Sequence, residues 1–167
     1  MIKTKLTIFS HYYLCSSIKV VFLFSFVFLF ASCKAYQNNI ANFERVDEFR
    51  AEEKYMETIS ILNSIIDSDN CSKDDISKSH FIIADILLND FRNYDLAVNE
   101  FNKVIKVDIN NEYRKKSFFM IGYIYHNNLH QFSDALLAYE NFKAEYPDDE
   151  LIVSVDYEIE LINKILK

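Results

Sequence analysis

The chain is 167 residues long, half of them apolar and 16% aromatic, with one glycine (Gly122) and one proline (Pro147). So much apolar surface excludes a disordered chain, and so few turn residues exclude a β-rich or α/β fold, leaving an almost wholly helical domain with a real core. A formal net charge of −7, with every acidic residue after Cys33, opposes binding to nucleic acid or to anionic lipid headgroups.

The first element in chain order is the apolar run VVFLFSFVFLFA, residues 20–31, in which only Ser25 is polar. Its twelve residues match the apolar region of a signal peptide and fall short of the roughly 20 that a helix needs to cross a bilayer. Extending the run backwards would bury Lys19, at about 2.5–3.5 kcal/mol near the bilayer centre and less if the side chain snorkels. Lys3, Lys5 and Lys19 upstream and Ala31-Ser32 downstream complete a signal-peptide pattern over residues 1–32.

The residues FASC, ending at Cys33, resemble a bacterial lipobox in which Phe30 stands where leucine is usual. The resemblance implies cleavage before Cys33 and diacylation of its thiol, and two or more acyl chains hold a protein on a membrane stably. It further implies an outer-membrane lipoprotein facing the periplasm. An uncleaved N-terminal helix in the inner membrane and a freely secreted protein are the other readings. Cleavage would take three lysines from the 18 basic residues, leaving 15 against 25 acidic ones and a net charge of −10. It would also remove Cys15 and commit Cys33 to lipid, so Cys71 has no disulfide partner in the mature chain. Cys71 lies in the polar loop SDNCSKDD and reads as a bystander rather than a nucleophile. Residues 33–41 read as the lipidated cysteine and a short tether.

The body repeats itself. Residues 78–90, KSHFIIADILLND, laid over residues 116–128, KSFFMIGYIYHNN, agree at six of thirteen positions with an offset of 38. The same offset matches Ala97 to Ala135, Phe101 to Tyr139 and Val104 to Phe142. A register that holds across two helices marks an internal repeat whose unit is a helix pair. Ser72 with Asp75, then Asn93 and Asn111, supply N-caps for three successive helices. Pro147 stops the second unit, and Asp148-Asp149-Glu150 is expected to start a last helix over about residues 149–166.

This body resembles the tetratricopeptide repeat. The family's pattern falls on Phe118, Ile121-Gly122, Tyr125, Ala135, Tyr139, Phe142 and Pro147 in one unit, and on His80, Ile83-Ala84, Leu87, Ala97, Phe101, Val104 and Ile109 in the other. The resemblance implies an all-α fold, a short right-handed α-solenoid of antiparallel helix pairs with a C-terminal capping helix. Ala84 and Gly122 would let each pair approach, Ala97 and Ala135 would keep the crossing close, and Phe101, Tyr125 and Tyr139 would fill the remainder. The domain then spans 42–167, with repeats at 73–109 and 111–147, a cap at 149–166 and a degenerate repeat at 42–68. In that degenerate unit Thr58 takes the alanine position, and the first helix, NFERVDEFR, fits poorly. Both full units carry one residue more than the family in the turn between their helices. Within the class, the segment YENFKAEYPDDELIVSVDYEIELI resembles the repeats of outer-membrane assembly lipoproteins that bind a β-barrel insertase, and of the periplasmic coordinator of the Tol–Pal system. The assembly lipoproteins carry more repeats than this chain, so their specific role is not carried over.

No chemistry is legible. A single glycine excludes a Walker A or GxGxxG loop. His126 and His130, in HNNLH, have metal-ligand spacing only on a continuous helix, whereas the repeat register ends that helix near Asn127, and no third ligand accompanies them. Acidic pairs such as Asp74-Asp75 and Asp148-Asp149 sit at helix starts, where capping accounts for them. The chain is read as a non-enzyme without metal or cofactor. The family's groove positions fall on Lys78, Phe81, Asp85, Leu88 and Asn89 and on Lys116, Phe119, Tyr123, His126 and Asn127. That stripe is aromatic and apolar, as a peptide- or helix-receiving surface is. The family's carboxylate clamp needs Lys and Asn where this chain has Phe81, Phe119, Asp85 and Tyr123, which opposes capture of an acidic C-terminal tail. The expected function is therefore a membrane-tethered adaptor that binds a protein or peptide, within an envelope-assembly complex. The alternative is a self-associating envelope subunit with no peptide ligand.

Overall fold

The computed structural model describes residues 42–69, 71–107 and 110–167, a unit running Asn42–Lys167 that is all-helical, with no strand among the described residues. The expected leader and its expected cleavage site, the expected lipidation site Cys33, the expected tether and Ile109 lie outside the described residues. None of the described helices is long and apolar enough to cross a membrane.

Helix α1 covers 42–51, followed by α2 (Tyr55–Ile66), α3 (Lys73–Asn89) and α4 (Tyr94–Lys106). Helix α5 (Glu112–Tyr123) runs on into a π-helical turn (Ile124–Asn128), and α6 (Phe132–Glu145) and α7 (Ile152–Ile165) complete the unit. Three of these helices start where their caps require. The Ser72 hydroxyl accepts the Asp75 amide at 3.0 Å, and the Asn93 and Asn111 side chains accept the Leu96 and Arg114 amides at 3.3 and 2.9 Å. Each such bond satisfies an amide that the helix itself leaves open and contributes about 1 kcal/mol. Asn111 also donates to Asp74 at 2.9 Å, tying the start of α5 to that of α3.

The turns inside the two repeats are copies of one another at the 38-residue offset. Phe91 N–H donates to Ile86 O and Asn93 N–H to Leu87 O (3.2 and 2.8 Å), and the equivalent Leu129–Ile124 and Gln131–Tyr125 bonds measure 3.0 and 2.8 Å. Arg92 and His130, also equivalent, both hold a left-handed backbone (φ 52° and 55°). In each turn one bond reaches back five residues and the next six, against four within an α-helix.

Consecutive helices pack on one another, and α3 also touches α5. Three apolar clusters result. Val46 of α1 meets Ile61, Leu62 and Ile65 of α2 and Ile82, Ile83 and Ile86 of α3. Ala84 and Leu88 of α3 meet Ala97, Val98 and Phe101 of α4 and Ile121 and Ile124. Ala135, Tyr139 and Phe142 of α6 meet Val155 and Ile162 of α7, with Phe118 and Phe119 of α5 alongside. Helices α3 and α5 thus serve a cluster on each side, which explains why they are apolar on more than one face.

One expectation needs correction. The last helix begins at Ile152, not near residue 149: the Asp149 carboxylate accepts the Leu151 amide (2.9 Å) and binds Lys115 (2.9 Å), so it orders the turn before the helix instead of its first residue. The segment expected as the first helix of the degenerate unit is helical as α1, and its few apolar residues, Phe43, Val46 and Phe49, find partners on α2 and α3.

Candidate functional site

Of the packing residues read from the repeat, all but Pro147 are buried or half-buried. A Cβ built on Gly122 would stand 2.5 Å from the Tyr139 ring, so glycine is what lets α5 and α6 approach. Ala84, Ala97, Ala135, Phe101 and Tyr139 are fully buried, Tyr125 flanks two of the clusters, and Pro147 sits exposed in the turn after α6. The ring contact of Phe81 with Phe101 (centroids 5.4 Å apart) recurs one repeat later as Phe119 with Tyr139 (6.0 Å).

Between the units lies an open cleft of about 470 Å³. Its lining comes from the end of α3 (Leu88, Asn89), the turn (Arg92), the start of α4 (Tyr94), the end of α5 (Phe119, Met120, Tyr123) and Asn128. These side chains come together because α3, α4 and α5 are in mutual contact, with the left-handed Arg92 in the short turn that joins α3 to α4. Leu88 is buried, Phe119 and Met120 half-buried and Tyr123 exposed, which gives an apolar bed with an aromatic edge. Arg92 is an exposed cation at the mouth, while Asn89 donates to Asp85 at 2.8 Å. The Asn128 side-chain oxygen is withheld from solvent and accepts no hydrogen bond among the described residues. Leaving such an acceptor unmet costs about 1–3 kcal/mol. The cleft can seat an apolar side chain on Leu88, Phe119 and Met120.

Of the ten groove residues expected from sequence, Leu88, Asn89, Phe119 and Tyr123 line this cleft. The others go elsewhere. Phe81 is wedged between Phe101 and Tyr113, with centroids 5.4 and 5.5 Å away. Lys78 stands 3.9 Å above the Phe43 ring and Asp85 is paired with Arg50 at 2.6 Å, so α1 already takes up that part of the stripe. His126 is buried and bonded to Glu158 of α7 at 2.6 Å, with Phe132 against its ring. Lys116 is exposed near Glu112, and Asn127 turns back to donate to the Tyr123 carbonyl at 3.2 Å.

Arg92 and Tyr94 lie off the first helix of each unit, where the family's groove positions fall, and Met120 and Asn128 lie on that helix and its π-turn but at other positions. Met120 was within reach, being one helical turn from Tyr123 in sequence. Among the described residues no three His, Cys, Asp or Glu side chains gather as a metal site. Burial first, and the Asp75 carboxylate second, push the Cys71 thiol up to about 11, so it stays protonated at neutral pH. Burial alone would raise the Glu100 carboxyl, but bonds from His80 (2.8 Å) and Lys103 (2.5 Å) outweigh it and hold that group below its ordinary value. Those contacts tie α3 to α4 and lie away from the cleft lining.

No protein-family model matches this chain, and no curated protein matches it in sequence.

Proposed function

We propose that the chain is a protein–protein interaction adaptor of the bacterial cell envelope, a short tetratricopeptide-type solenoid of antiparallel helix pairs hung from a lipid on Cys33. Residues 1–32 serve as its lipoprotein signal peptide, 33–41 as the tether and 42–167 as the binding domain, on the outer membrane and facing the periplasm. The observation that carries this reading is the cleft, where Leu88 and Asn89 of one repeat meet Phe119 and Tyr123 of the next. The copied turn geometry and the Gly122–Tyr139 approach support the repeat assignment. The ligand is a peptide or helix of a partner protein whose apolar side chain lies on Phe119 and Met120, within an envelope-assembly complex. No cofactor, metal or nucleic acid enters this reading, and no reaction is assigned.

Crosslinked affinity purification from membranes tests it. Tyr123 is an exposed aromatic at the cleft edge, and truncating such an anchor weakens binding by about 2 kcal/mol, roughly thirtyfold. Tyr123→Ala should release a partner that the wild-type chain retains, and Cys33→Ser should move the retained complex out of the membrane fraction. Recovery of the same proteins with Tyr123→Ala would show that the cleft is not the binding surface. Membrane retention of Cys33→Ser would favour the uncleaved inner-membrane anchor.

A further inference from the structure

Helix α7 is apolar on two opposite sides. One side, Val155 and Ile162, is fully buried against α6. The other is a ridge of Val153, Tyr157, Leu161 and Ile165 at i, i+4 spacing, with Val153 78%, Tyr157 60% and Ile165 55% exposed and Leu161 half-buried. A helix that ended the domain against water would carry polar residues here. The charges at its two ends are segregated as well. Asp148 and Glu150, before the helix, and Lys167, after it, are exposed and form no ion pair among the described residues, whereas Asp149 and Asp156 are already paired with Lys115 and Lys143.

We infer that this ridge pairs with the same ridge of a second copy of the chain, the two α7 helices running antiparallel about a two-fold axis near Ile159. That register sets Val153 against Ile165 and Tyr157 against Leu161 of the other copy, small against large at every step. It also brings the end of each helix that carries Lys167 toward the end of the other that carries Asp148 and Glu150. A parallel pairing would put the acidic ends together and the basic ends together, so the charges select the antiparallel one. Such an isologous contact closes on itself and makes a dimer rather than a fibre. A helix of 14 residues is about 21 Å long and offers less than the roughly 800 Å² per partner of a standard interface, so the dimer is a weak, concentration-dependent one. Tyr123 and the cleft lie on other elements, and the dimer does not depend on the adaptor reading.

The test is sedimentation velocity of the full-length chain in detergent over a range of concentrations, with Val153→Glu/Tyr157→Glu beside wild type. Both side chains are exposed, so helicity by circular dichroism should not change. Wild type should move reversibly from monomer to dimer as concentration rises, and the double variant should need at least tenfold more protein to do so. On oxidation, Tyr157→Cys/Leu161→Cys should give a covalent dimer beyond whatever the native cysteines form in oxidised wild type, and neither single substitution should match it. A monomer at every concentration, a dimer indifferent to the glutamates, an open ladder of higher species from head-to-tail stacking, or absence of the 157–161 crosslink would each overturn the inference.

Discussion

The pair α3–α4 and the pair α5–α6 are built to one plan, yet they close differently. In the first, Ala84 and Phe101 are fully buried in one cluster; in the second, the equivalent positions hold Gly122 and Tyr139, whose ring lies where any Cβ on residue 122 would go. The second pair therefore gave up a methyl group on one helix to admit a phenol on the other. The Tyr139 hydroxyl is buried and accepts or donates no hydrogen bond among the described residues, and burial, with Glu158 and Tyr123 as lesser causes, pushes its ionisation up. An additional oxygen without a partner is a cost that Phe101 does not carry.

Three substitutions break or sharpen this contrast. The largest effect belongs to Gly122→Ala, which restores the first pair's side chain in a place already filled. Overpacking of this kind destabilises by about 1–3 kcal/mol, read as a lower urea midpoint at unchanged slope. Tyr139→Phe makes the second pair resemble the first from the other side and should stabilise by about 1 kcal/mol, since it removes the unpartnered hydroxyl. A loss of stability on urea unfolding would mean that the hydroxyl has a partner after all. The smallest effect is His130→Gly. The left-handed turn residue of the second pair is not glycine, and glycine takes that backbone without Cβ strain, so a gain of about 0.5 kcal/mol in the same titration is expected.

How far the sequence can be read follows from the range of the interactions involved. The caps at Ser72, Asn93 and Asn111 act over three residues, and all three are found. The offset of 38 rests on side chains that repeat the same contact, and it led to Gly122 and Tyr139. The start of α7 was misplaced because Asp149 answers to Lys115 on a different helix. The groove stripe was only partly legible for a similar reason. Lys78, Asp85 and His126 face partners, Phe43, Arg50 and Glu158, that lie 32–35 residues away in sequence. Spacing along one helix does not reveal what a neighbouring helix will cover.

Because α3, α5 and α6 each contribute to two clusters, none can leave the structure without opening both. Helices α1 and α7 can each be lost at the expense of one. Under native conditions the amide protons of α3, α5 and α6 should accordingly exchange with solvent last and those of α1 and α7 first. Loss of α7 would break its ties, Lys143 to Asp156 and His126 to Glu158, and loss of the second uncovers the π-turn beside the cleft.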